Sequence, residues 1–271
     1  MNYNWNWKIF FEISADGRHT WLTTLFIGLG WTLTTALCAG IIAFLLGSAL
    51  GVMRTTPNKW AVKIGNAYVE FFRNIPLLVQ LFLWYFVLPE LLPNAIGSWI
   101  KSMTPPWASF VPAVIGLGLF TAARVSEQVR AGIQSLGRGQ TQASTALGLT
   151  LPQRYRYVLL PMAYRIILPP LTSETMNLIK NTSVALTIGL FELTAAARSM
   201  QEFTFQVFEA FTAATVIYIL VNLVVVNLMR WLERSVAVPG FIGPAAGKAK
   251  RGKIVAEPQI EQQLDIAAGG H

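Results

Sequence analysis

From His19 to Met53 the chain carries no formal charge when His19 is neutral. As an α-helix at about 1.5 Å per residue, that run of about 35 residues reaches roughly 50 Å. The hydrocarbon core of a bilayer needs only about 20 residues, so the stretch holds one membrane span and an interfacial shoulder. Soluble domains carry about 25% charged residues; here 13% are charged and 54% are hydrophobic. That much apolar surface cannot be hidden inside a compact soluble domain whose exterior must stay wet. Disorder and coiled coil fail on the same grounds. The single cysteine, Cys38, supports neither an internal disulfide nor a zinc cluster.

Four further spans are expected: Val62–Leu88, Ser109–Ala131, Leu159–Leu190 and Phe208–Leu232. Charge and proline interrupt the second and fourth, while the others have long uncharged cores. An odd count puts the termini on opposite sides. Thirteen lysines and arginines fall on one side, near the first turn (Arg54, Lys59, Lys63), in the third-to-fourth loop (Arg130, Arg138, Arg154, Arg156) and after the fifth span. Lys8, Arg18, Lys101 and Arg198 fall on the other. The positive-inside rule then puts the N-terminus outside and the C-terminus in the cytoplasm. It also explains the net charge of +8 without nucleic acid. The expected organisation is an interfacial segment over residues 1–20, anchored by Trp5 and Trp7, a five-span all-α domain over 21–237, and a disordered cytoplasmic tail over 238–271. Residues 1–18 lack the basic start and apolar core of a signal peptide.

The loop 132–161 is too polar to span and too patterned for a plain linker. Gln140–Leu147 reads as a short helix that Gly148 is placed to end. Thr150, Pro152 and Gln153 then read as a capping box that restarts a helix. A helix, a glycine bend and a second helix together offer a knob to a cytoplasmic partner, or simply connect two spans.

Within this loop, QASTALGLTLPQRYRYVLLP resembles the signature loop of ABC-importer permeases. Gly148, Leu160 and Pro161 keep its spacing, Ala143 matches, and Val158 stands for isoleucine. Gln142 replaces a glutamate and Ser144 an alanine. VEFFRNIPLLVQLFLWY, SEQVRAGIQSLGRGQ and NLIKNTSVALTIGLFEL are similar to segments of the polar-amino-acid branch, and together these stretches fall in order between residues 69 and 193. The resemblance implies a type I importer permease of the bacterial inner membrane with a five-span core and no enzymatic chemistry of its own. Its partners would be a homologous permease subunit, two cytoplasmic ATPase subunits that carry the ATP and magnesium, and a periplasmic amino-acid-binding protein. Gln142–Gly148 would be the coupling helix seated in an ATPase cleft. The segments FTAARVSEQVRAGIQSL and LTLPQRYRYVLLPMAYRIILPPLTSE imply glutamate and aspartate as cargo. Another polar amino acid, or a stand-alone secondary transporter, stays open as an alternative; the latter is a poor match without an inverted repeat.

Ionisable groups inside a span are costly and mark function unless paired. Glu70 and Arg73, three apart, are expected to pair on one helix face, and Asn74-Ile75-Pro76 to kink that helix. Arg124 and Glu127 repeat the spacing. Arg124 either neutralises a nearby glutamate or meets an acidic side chain of the cargo with its planar fork. In the fourth span Asn177, Lys180, Asn181, Thr182 and Ser183 form a polar set, either a packed seam or part of a substrate path that also includes Arg124 and Glu127. Gly47 and Gly51 are expected to let helices approach closely.

Overall fold

The computed structural model describes residues 3–236; the tail expected over 238–271 lies outside them. Among the described residues every regular element is helical. Three helices are long and apolar enough to cross a membrane: α1 (Trp21–Met53), α6 (Trp107–Gln134) and α11 (Val207–Val236). They coincide with the first, third and fifth expected spans. Thr20 caps α1 by accepting from the Thr23 amide at 3.3 Å.

α6 lies at the centre and is mostly buried, whereas few residues of α11 are buried. The reason is legible in small residues. A methyl group on Gly47 would stand 2.7 Å from Val125 Cβ, and one on Gly51 would stand 2.6 Å from Val129 Cβ. Only hydrogen at those positions lets α1 close on α6. Gly132 does the same on the other side of α6, where a methyl would stand 2.4 Å from Ile167 of α9 (Leu160–Asn181). Leu117, Ala113 and Ala39 are fully buried along the resulting seam.

The second expected span differs from a kinked helix. α2 (Lys59–Asn74) ends at Ile75 and the chain resumes as α3 (Leu77–Phe82), a π-turn (Leu83–Val87) and α4 (Leu88–Leu91). The two halves are bent by 103°. Pro76 has no amide to give the Phe72 carbonyl, and the break strands the Ile75 carbonyl as well. The buried Gln80 answers both: its Nε2 donates to Phe72 O and Ile75 O, each at 2.8 Å. The fourth expected span is α9, 22 residues long, followed by a 3-10 turn (Thr182–Ile188) that closes on Gly189 at φ 83°. Arg165, Glu174 and Lys180 are spaced along α9 and leave it without the long uncharged run that α1, α6 and α11 each have.

Short helices cap the bundle. α5 (Asn94–Lys101) precedes α6, and α10 (Leu193–Thr204) precedes α11. Glu192, fully buried, caps α10 by accepting from Thr194 N at 2.9 Å and Ala195 N at 2.8 Å. It also accepts from the Tyr218 hydroxyl at 2.8 Å, tying α10 to α11. The N-terminal segment forms a 3-10 turn (Trp7–Phe11), with Trp5 and Trp7 exposed and stacked 5.8 Å apart. The Asn6 amide donates to the buried Glu209 at 2.8 Å. In the turn that leads to α1, Asp16 accepts from the His19 and Arg18 amides and from the His19 ring and Ser14 hydroxyl. Those bonds, the His19 amide foremost, hold its carboxyl well below the usual carboxylate range.

Candidate functional site: a loop knob and two cavities

The loop expected to form a knob does so. α7 (Arg138–Ala146) is followed by Gly148 at φ 72°. The Leu149 amide donates to Ser144 O at 3.1 Å and the Gly148 amide to Thr145 O at 2.9 Å, the paired bonds of a Schellman stop. A β-carbon in this left-handed conformation clashes with its own carbonyl, so the backbone geometry, not crowding, demands glycine: nothing lies within 4 Å of a methyl built there. The chain restarts as α8 (Leu151–Arg154), with Gln153 Oε1 accepting from the Thr150 amide at 2.8 Å in a capping box. Arg154 ties across the bend to Thr145 Oγ1 at 2.9 Å. Farther along, the Tyr155 hydroxyl bonds Thr55 Oγ1 at 3.0 Å, fastening the loop to the end of α1.

Of the signature positions, Gln142, Ala143 and Gly148 are exposed on the knob, and Ser144 turns inward to bond Thr141 O at 2.9 Å. Val158 sits in a π-turn (Tyr155–Leu159), and Leu160 and Pro161 open α9. Sequence reasoning passed over Leu147, which stands at the bend 79% exposed. Its signal was its place between a run of small residues and the stop glycine.

The ionisable groups pair differently from their sequence spacing. Glu70 is exposed, and Arg73 reaches Glu127 instead, at 3.5 Å. Glu127 also receives Arg54 Nη2 at 2.8 Å and Arg130 Nη2 at 2.9 Å. Arg54, read from sequence as a flanking charge, is buried; its Nε donates to Asn66 at 2.7 Å and its Nη1 to Ser126 at 3.3 Å. Gly65 makes room for it, since a methyl there would meet Arg54 Cγ at 2.5 Å. One carboxylate thus fastens α1, α2 and α6 together.

Arg124 does not neutralise Glu127. It lies over the Phe120 ring at 5.1 Å and faces Glu174 of α9 at 3.9 Å. These groups, with Arg73, Glu127 and Gln128, wall a cavity of about 380 Å³. Lys180 and Ser183 face elsewhere, into a cavity of about 600 Å³ between α9 and α11 that also includes Tyr218 and Asn222. Asn177 and Asn181 are half-buried on α9. Thr182 is wholly buried and spends its hydroxyl on Ile179 O at 2.8 Å. Of the set expected along one path, Arg124 and Glu127 line one cavity and Lys180 and Ser183 the other, Asn177, Asn181 and Thr182 line neither, and Glu174, Tyr218 and Asn222 are added by the fold.

A bundle of apolar helices with two cavities and a structured knob at one loop fits a membrane permease. Residues 43–238 match the family described as binding-protein-dependent transport system inner membrane component, and the chain belongs to that family. It is 50% identical over 244 residues to the glutamate/aspartate import permease protein GltJ of Escherichia coli strain K12, covering 90% of this chain and 99% of that one. It is 36% identical to the probable amino-acid ABC transporter permease protein PatM of Vibrio harveyi, over 76% and 88% of the two chains. The crystal structure of an amino acid ABC transporter with histidines matches at a TM-score of 0.67 and 31% identity, over 79% of this chain and 95% of that chain. The methionine transporter MetNI, at 20% identity and a TM-score of 0.66, shares the fold over 80% and 98% of the two chains. The chain is a multi-pass inner-membrane permease subunit of an ABC importer.

Proposed function

We propose that this subunit imports glutamate and aspartate delivered by an external binding protein, by alternating access. Five crossings are inferred: α1, the bent α2–α4 segment, α6, α9 and α11, with the N-terminus outside. The observation that carries the coupling is the left-handed Gly148 bend, which ends α7 and leaves Leu147 exposed at the turn. ATP and its magnesium are bound and hydrolysed on two partner ATPase subunits, and closure of those subunits pushes α7 and rocks the helices behind it. A second, homologous permease chain completes the path. The acidic cargo follows from the relative named for glutamate and aspartate and from Arg124, a cation at a cavity wall able to hold a side-chain carboxylate. Lys180 and Ser183, which line the cavity between α9 and α11, are taken to lie farther along the path.

The test is ATP hydrolysis by the complete importer in proteoliposomes, with binding protein loaded with glutamate or empty. Glutamate-loaded protein is expected to stimulate hydrolysis, and both Leu147→Asp and Gly148→Val to abolish the stimulation. Stimulation that survives both variants would overturn the coupling role of the knob; stimulation by arginine alone would overturn the cargo.

A further inference from the structure

The cavity between α6 and α9 contains a carboxylate that the proposal above does not use. The Glu174 side chain is only 13% exposed, whereas that of Arg124 is 44% exposed. Glu174 Oε2 stands 3.9 Å from Arg124 Nη1, beyond hydrogen-bond reach. No described residue donates a hydrogen bond to that oxygen, although buried polar atoms are almost always satisfied. The other carboxylate on the wall, Glu127, is already held by Arg54 and Arg130. Among the described residues Glu174 therefore faces one cation, loosely, without the two-bond geometry that makes guanidinium–carboxylate pairs strong.

We propose that Glu174 is a built-in competitor for the cargo's side-chain carboxylate. It holds Arg124 while the cavity is empty and gives it up to an acidic amino acid. A free carboxylate can turn to meet the guanidinium fork with both oxygens, which Glu174, fixed to α9 at its present distance, does not. With the α-carboxylate held elsewhere on the path, an amino acid without a second carboxylate has none to offer Arg124 and does not displace Glu174. When the cargo is to leave, Glu174 recaptures Arg124, so the path does not trap what it carries. Glu174 is thus a specificity-determining residue that lowers affinity for acidic cargo and lets it go. The inference rests on the reading that Arg124 meets an acidic cargo.

Competition of this kind reduces apparent affinity by the fraction of time Arg124 is free. If the pair is closed about four-fifths of the time, freeing Arg124 tightens binding about fivefold. The experiment is equilibrium binding of labelled glutamate, with labelled glutamine as control, to the complete permease–ATPase complex in nanodiscs without binding protein. Glu174→Gln is expected to tighten glutamate about fivefold and leave glutamine unchanged. Arg124→Gln is expected to bring glutamate down to the level of glutamine, and Glu174→Gln to have no effect on that background. Glu174→Asp, which shortens the side chain but keeps the charge, is expected to fall between wild type and Glu174→Gln. If Glu174→Gln and Glu174→Asp bind glutamate as wild type or more weakly, while Arg124→Gln loses it, the competitor role is overturned and the role of Arg124 stands. If Arg124→Gln binds glutamate as well as wild type, the reading beneath the inference falls with it.

Discussion

Replacing Glu127 with glutamine tests whether its ion cluster is the clasp of the bundle. The Arg54 side chain is 7% exposed and meets Glu127 at 2.8 Å; the Glu127 side chain is 23% exposed. Removing one partner of a buried ion pair costs about 3–5 kcal/mol, because the other charge is left buried and alone. Arg54 would still keep Asn66 and Ser126, which places Glu127→Gln at the low end, about 3 kcal/mol. Arg73, 58% exposed and 3.5 Å away, is screened by solvent, and Arg73→Gln should cost less than about 1 kcal/mol. On an Arg54→Met background Glu127→Gln should also cost less than about 1 kcal/mol, since no buried cation remains to be orphaned. Reversible denaturant unfolding in mixed micelles reads all of these. A Glu127→Gln protein within about 0.5 kcal/mol of wild type, or an Arg73→Gln protein equally damaged, would refute the buried-clasp argument.

Three further outcomes are expected. Gln80→Leu should cost about 2 kcal/mol by leaving the Phe72 and Ile75 carbonyls without a donor at the bend, read by the same unfolding assay; no loss would mean the bend is satisfied by other means. Gly51→Ala should cost about 1–3 kcal/mol by forcing α1 away from Val129, whereas Gly30→Ala, with nothing within 4 Å, should be neutral or stabilising; equal effects would refute the close-approach argument. The Asp16 carboxyl should titrate below the model-peptide value of about 3.9 by NMR of labelled protein in nanodiscs. Because its pKa is depressed in the fold, its bonds stabilise the turn at neutral pH and are lost only as pH falls through that lowered midpoint. A midpoint above about 4.5 would contradict it.

The spanning helices α1, α6 and α11 were legible because each carries a long uncharged core, a signal that needs no knowledge of neighbours. The stop at Gly148 and the capping box at Thr150 were legible for a similar reason: caps are local chemistry, settled within four residues. Pairing was not legible. A three-residue spacing says which groups share a helix face, so it joined Glu70 to Arg73, yet Glu127 collects its cations from α1, α2 and its own helix. Arg54 and Glu174 are buried or nearly so because of where other helices pack, and no window of sequence around either shows that. The expected kink at Pro76 became a 103° bend because Gln80, four residues on, satisfies what the break exposes. Lys180 and Arg124 share a polar character but not a cavity: from α9 Lys180 faces α11, whereas from α6 Arg124 faces Glu174.

The most direct test of the central claim is uptake of labelled glutamate into proteoliposomes that hold this chain with its partner permease, ATPase subunits and binding protein. ATP-dependent accumulation is expected, blocked by excess unlabelled aspartate and untouched by excess arginine. Accumulation that proceeds without ATP or without the ATPase subunits would contradict the account.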